Sequence, residues 1–132
     1  MPLPQKESWF GVVLQAPNAS ELVHFYERLL GWTVYTDTDQ WATLAPSKTA
    51  GYNLACQAEE GYVRPTWPSR PGEQQMQLHL DIQVDDLDEG VAYALECGAE
   101  LPDFQPQRDV RVLLDPAGHP FCLYIDADSD DA

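Results

Sequence analysis

The spacing of apolar residues along this chain changes several times, and each change marks an element. From Trp9 to Ala16 the run is apolar and partly β-branched, which predicts a strand stopped by Pro17 and Asn18. Between Ala19 and Leu30, the residues Leu22, Val23, Tyr26, Leu29 and Leu30 recur at helical spacing. Asn18 supplies an N-cap with Glu21 three residues on, and Gly31 supplies a stop, so an amphipathic helix is predicted there. Shorter runs at Thr33 to Thr38, Trp41 to Ala45 and Gly51 to Gln57, parted by Asp, Pro, Ser and Gly, predict three more strands. The first half therefore reads β-α-β-β-β.

A segment rich in Pro, Arg and Gly, residues 60–74, breaks the pattern and reads as a long surface loop. Strict alternation then resumes from Leu78 to Val84, with His79, Asp81 and Gln83 between apolar neighbours, as a half-buried strand requires. Asp85 or Asp86 caps a helix that carries Leu87, Val91, Ala94 and Leu95 as its apolar stripe and stops at Gly98. Strands are expected at Leu101 to Gln105, Val110 to Leu114 and Pro120 to Ile125, the last two joined through the turn residues Asp115, Pro116, Ala117 and Gly118.

The two halves repeat one plan. Gln15 falls on Gln83, Glu21 on Glu89, Val23 on Val91 and Phe25 on Tyr93. An open sheet with a helix on one face leaves its other face bare, so the halves are expected to pair, within the chain or between chains. The organisation expected is one α+β domain with module one at 8–59, a loop at 60–74, module two at 75–126 and an acidic tail at 127–132.

Composition narrows the partners. With 44% hydrophobic residues and four tryptophans in 132 residues, the chain can build a core. It carries 22 Asp and Glu against 7 Lys and Arg, a formal charge of −15, which argues against nucleic acid and anionic membrane surfaces and favours cations. No run approaches the roughly 20 apolar residues of a membrane span, and Met1 to Ser8 has no apolar leader segment, so a cytoplasmic protein is expected. Cys56, Cys97 and Cys122 lack metal-type spacing and read as reduced thiols.

Three segments carry a resemblance: Phe25-Tyr26-Glu27-Arg28-Leu29-Leu30-Gly31, His79-Leu80-Asp81 through Val84-Asp85-Asp86-Leu87-Asp88, and Asp115-Pro116-Ala117-Gly118-His119-Pro120-Phe121. In order and spacing the chain resembles the vicinal oxygen chelate superfamily, in particular its small glyoxalase-like and bleomycin-resistance members. The resemblance implies the glyoxalase/bleomycin resistance/dioxygenase fold, two β-α-β-β-β modules paired around a cleft. It also implies dimers that complete that cleft across two chains, and one metal ligand on each of four strands. Those ligand positions fall on Gly11, on Leu54 or Ala55, on His79 and on Cys122.

Glycine, leucine and alanine side chains hold no metal, so the ligand set is incomplete and no cofactor is expected. His79 and Cys122 are weak candidates for a divalent ion, with Asp81 a third donor on the same strand face. His79, Asp81 and Gln83 either line the cleft or satisfy one another, and His79 with Asp81 is also the candidate acid/base pair. Trp9, Trp41, Trp67 and Tyr124, with Tyr35, offer flat surface to an aromatic or cationic ligand. Trp67 is expected to be part of a lid, and Arg111 suits a carboxylate or carbonyl. His24 and His119 read as structural.

These features predict a metal-independent small-molecule binding protein, its ligand cationic or aromatic. The rival readings are a lyase, isomerase or dioxygenase acting through His79, and a partner-binding module with no small-molecule chemistry.

Overall fold

Strand β1 (Phe10–Ala16) ends at Pro17, which has no N–H for a ladder, and Asn18 turns the chain straight into helix α1 (Ala19–Leu30). The Glu21 N–H donates to Asn18 Oδ1 at 2.9 Å, and Gly31, at φ 71°, closes the far end by donating to the Glu27 carbonyl. The computed structural model describes residues 2, 3 and 8–126, and the chain divides into two units, Met1–Tyr62 and Val63–Ala132. The acidic tail expected at 127–132 lies outside the described residues.

In the first unit, β1 is followed after α1 by β2 (Thr33–Asp37), β3 (Trp41–Ala45) and β4 (Tyr52–Ala58). They form one four-stranded sheet in the order β1-β4-β3-β2, with β1 parallel to β4 and the remaining pairs antiparallel. Side chains alternate across the sheet. Leu14, Leu44, Leu54 and Cys56 face α1, whose Leu22, Val23, Phe25 and Tyr26 are all buried. Each such aliphatic or aromatic side chain contributes about 1.5–3 kcal/mol on burial. Phe25 and Tyr26 meet edge to face at 4.9 Å. The opposite face carries Gly11, Asn53, Ala55 and Thr43, which the register sets side by side.

The second unit begins with β5 (Leu80–Gln83) and helix α2 (Leu87–Cys97), followed by β6 (Val110–Leu114) and β7 (Pro120–Tyr124). Asp86, not Asp85, is the N-cap, accepting from the Glu89 N–H at 2.8 Å. The sheet order is β5-β7-β6, again with the first strand parallel to the last. Leu113, Phe121 and Leu123 are buried with Ala94 and Cys97 of the helix. Gly90 lets α2 come close: a Cβ there would lie 3.2 Å from Leu123 Cδ1.

One expected strand is not formed. Residues 101–105 make no strand; a single bridge pairs Glu100 with Leu114. Pro102 has no N–H to offer a ladder, and the Gln105 side chain takes over the pairing instead. Its Oε1 accepts from the Val112 N–H at 2.8 Å, and its Nε2 donates to the Val112 carbonyl at 2.9 Å. One amide side chain thus does for β6 what a neighbouring peptide group would have done, and the second module is β-α-β-β.

The loop expected at 60–74 does lack helix and strand. Residues of its latter part are nonetheless tied down within the second unit. Arg64 Nη1 donates to the Pro116 carbonyl at 3.1 Å and Nη2 lies 3.2 Å from Glu100 Oε2. The turn it grips is built on Asp115, fully buried, whose Oδ1 accepts from the N–H groups of Ala117 and His119.

Candidate functional site

The nine residues singled out from the sequence divide between the two units. Five of them share one face of the second sheet. Asp81 is paired in register with Cys122 and Gln83 with Tyr124, while His79 stands two residues before Asp81 on the same side. His79 Nε2 lies 3.2 Å from Asp81 Oδ1, and both side chains are partly exposed. One donor atom from each of His79, Asp81 and Cys122 lies within 4.8 Å of the other two.

Burial pushes the Cys122 thiol pKa up, and the negative charge of Asp81 and a hydrogen bond to it push the same way. The thiol is therefore held protonated, giving its S–H to the carboxylate. A thiol in that state is a poor nucleophile. A divalent cation reverses this logic, because it stabilises the thiolate and the carboxylate together.

The imidazole, carboxylate and thiol fit a divalent ion as a three-donor set, of the mixed N, O and S kind that suits zinc-like metals. Gly11 and Leu54 or Ala55, where the resemblance put further ligands, have no side-chain donor. The set is thus three residues of one unit, with Asp81 standing where the resemblance named no ligand.

Arg111 is not part of this group. It is in register with Leu123 rather than Cys122, on the other face of the sheet, and its Nη1 donates to the carbonyls of Arg108 and Val110, both at 2.9 Å. Trp67 is likewise engaged elsewhere. Its Nε1 donates to the Phe104 carbonyl at 3.1 Å and its ring lies 5.8 Å from that of Phe104, so the expected lid residue is spent on packing within its own unit.

The first unit holds a pocket of about 370 Å³, lined by Trp9, Tyr35, Thr43, Leu44, Ala45, Lys48 and Asn53. Its walls are aromatic: Trp9 is 50% and Tyr35 44% exposed. Tyr35 sits where the β2–β3 register shifts between Val34 and Thr36, and such a bulge re-aims the side chain it carries. Trp41 lies on β3 outside the lining, paired with Gln57. Asn53 reaches the lining because position 11, its partner on β1, is glycine. A Cβ on Gly11 would lie 2.3 Å from Asn53 Oδ1 and displace it.

Thr43, Lys48 and Asn53 did not stand out in the sequence, where no charge pattern or motif marks them. A signal was present in strand parity: Trp41, Thr43 and Ala45 alternate with buried Ala42 and Leu44, so the second set faces the helix and the first the open side.

Solved structures share this arrangement of helices and sheets. A crystal structure of a glyoxalase-related enzyme from Fulvimarina pelagi is 16% identical, with a TM-score of 0.63 over 93% of this chain and 89% of that one. A glyoxalase/bleomycin resistance protein/dioxygenase family enzyme from Burkholderia phytofirmans is 19% identical, with a TM-score of 0.63 over 87% and 95%. The fosfomycin resistance protein FosX from Mesorhizobium loti is 11% identical, with a TM-score of 0.62 over 96% and 98%. The protein thus has the mixed α+β fold of the glyoxalase/bleomycin resistance/dioxygenase class. Residues 11–124 match the profile of the glyoxalase-like domain, and the chain belongs to that family. No curated protein sequence matches it. Among the described residues no helix is long and apolar enough to cross a membrane.

Proposed function

We propose that this chain is a small-molecule binding protein that takes its ligand without a metal ion, in the pocket of the first unit. The observation that carries the reading is the lining: two flat aromatic walls, an amide, a hydroxyl and an ammonium group, with no His, Cys, Asp or Glu among them. At about 370 Å³ the pocket falls within the range of small-ligand sites. The fosfomycin resistance protein among the structural neighbours, by its name, also meets a small molecule. A ligand stacked on Trp9 and Tyr35 gains apolar burial and ring contacts, while Asn53 and Thr43 fix its orientation.

The test is a tryptophan-fluorescence titration with a panel of one- and two-ring aromatic compounds, run with and without EDTA. Saturable quenching that survives EDTA and disappears in Trp9→Ala is the expected result. Quenching abolished by EDTA would refute a metal-free site.

A second reading is an enzyme of the vicinal oxygen chelate type, a lyase, isomerase or dioxygenase, and the convergence of His79, Asp81 and Cys122 favours it. A bound divalent ion there would act as a Lewis acid on substrate oxygens. In the metal-free form of the same reading, His79, whose Nε2 lies 3.2 Å from Asp81 Oδ1, would take or return a proton at its other ring nitrogen, Nδ1. Elemental analysis of untagged protein after incubation with zinc, nickel, manganese and iron salts decides the matter. About one ion per chain, lost in both His79→Ala and Cys122→Ala, supports the enzyme.

Homodimerisation and residence in the reducing cytoplasm complete the proposal. The family resemblance supports the first and the three free thiols, Cys56, Cys97 and Cys122, the second. Light scattering at micromolar concentration tests the dimer.

A further inference from the structure

The pocket in the first unit has a charge opposite to that of the protein as a whole. Of its seven lining residues Lys48 is the one basic residue, and none is acidic. Among the described residues no carboxylate pairs with Lys48, whereas Arg64 and Arg108 each have one. The lysine stands at the β3–β4 turn, where the Thr49 N–H donates to Ser47 Oγ and the Ala50 N–H to the Ser47 carbonyl, so its backbone is ordered.

The acidity of the chain is also unevenly shared. Residues 1–62 carry seven Asp and Glu against three Lys and Arg, while residues 63–132 carry fifteen against four. Lys48 belongs to the lining itself, so its charge acts on an ion in the pocket at short range, where salt screens least.

Resting on the binding reading above, we propose that the ligand class of this pocket is a planar aromatic monoanion, such as an aromatic carboxylate, and not the cation that the overall charge of the chain suggests. The rings lie against Trp9 and Tyr35, and the anionic group accepts from the Lys48 ammonium and from the one Asn53 Nδ2–H that is not given to the Leu54 carbonyl. Amide and ammonium are complementary to a carboxylate in both charge and donor direction. Gly11 leaves room for Asn53 in the position it holds here. An aromatic cation would find the same walls and a repelling head.

The experiment uses the full chain, ¹⁵N-labelled, in EDTA at pH 7, titrated by NMR with three probes of one shape: 2-naphthoate, 2-naphthalenemethanol and 2-naphthylmethylammonium. The expected order is anion, then neutral, then cation, with the anion about fivefold to tenfold tighter than the alcohol, as befits one partly exposed charge-assisted contact. Lys48→Gln, on an exposed turn, should leave the fold intact and remove the anion's advantage over the alcohol. Trp9→Ala should weaken all three together. Equal binding of all three, or an anion preference that survives Lys48→Gln, overturns the anion proposal and leaves the pocket standing. Binding of none of the three up to millimolar concentration overturns the pocket reading as well.

Discussion

His24 ties helix α1 to strand β2, and its removal should cost stability only over a defined range of pH. Its Nδ1 lies 2.8 Å from Glu27 Oε1 and its Nε2 2.7 Å from Asp37 Oδ2, while Ser20 Oγ donates to the other oxygen of Asp37 at 2.6 Å. The hydrogen bond to Glu27, then that to Asp37, raise the imidazole pKa above its ordinary 6.5 against a smaller opposing effect of burial. The bond from Ser20, then that from His24, lower the Asp37 pKa below its ordinary 3.8. Both ion pairs are about 40% exposed, so solvent screens them, and the His24–Glu27 pair is worth only ~0.2–1 kcal/mol.

A group whose pKa is raised on folding stabilises fully below its unfolded value, and the gain fades as pH rises through the folded value. Asp37, lowered, contributes above its unfolded value and loses that as pH falls through the folded one. The difference between wild type and His24→Gln should therefore be largest near pH 5 to 6. It should correspond to a melting-temperature drop of about 3–5 °C for a chain of this size, and it should shrink as pH rises above the ordinary imidazole value and through the raised value of the folded state. Differential scanning fluorimetry across that range measures it. A difference that stays constant from pH 5.5 to 9 would show that His24 acts through packing, and the electrostatic argument would fail.

Other perturbations follow from the same coordinates. Gly118→Ala places a side chain at φ 91° and a Cβ 2.3 Å from Arg64 Cγ; chemical denaturation should show a loss of about 1–3 kcal/mol. Gln105→Ala removes the amide that pairs with Val112, stranding a peptide group, and should cost about 1–3 kcal/mol with faster hydrogen exchange at the Val112 amide. Asp81→Asn removes the charge that helps to raise the Cys122 pKa, so alkylation of Cys122 by iodoacetamide at pH 8 should speed up, while buried Cys56 and Cys97 stay slow.

Both helices, their caps and seven of the eight strands could be read from the sequence because each rests on local rules. Asn18 and Asp86 sit at equivalent places with Glu21 and Glu89 three residues on, and Gly31 and Gly98 close the ends. The missing strand at 101–105 was misread because a side-chain amide can replace a backbone neighbour, and nothing in local hydropathy distinguishes the two. Within the site, alternation found the His79, Asp81 and Gln83 row, and the parallel register brought Cys122 and Tyr124 beside it. Arg111, read from the sequence as suited to a ligand carboxylate or carbonyl, is in register with Leu123 and so goes to the opposite face. The pocket escaped because its members come from β1, β2, β3, β4 and a turn, and only the register assembles them.

Gly11 and Asn53 show how a side chain that is absent can shape a site. A Cβ at residue 11 would meet Asn53 Oδ1 first, so Asn53 would have to swing aside to admit it. The polar floor of the pocket is thus set partly from a neighbouring strand, by a residue outside the lining. A substitution at 11 would reach the ligand through the rotamer of Asn53 and not by direct contact.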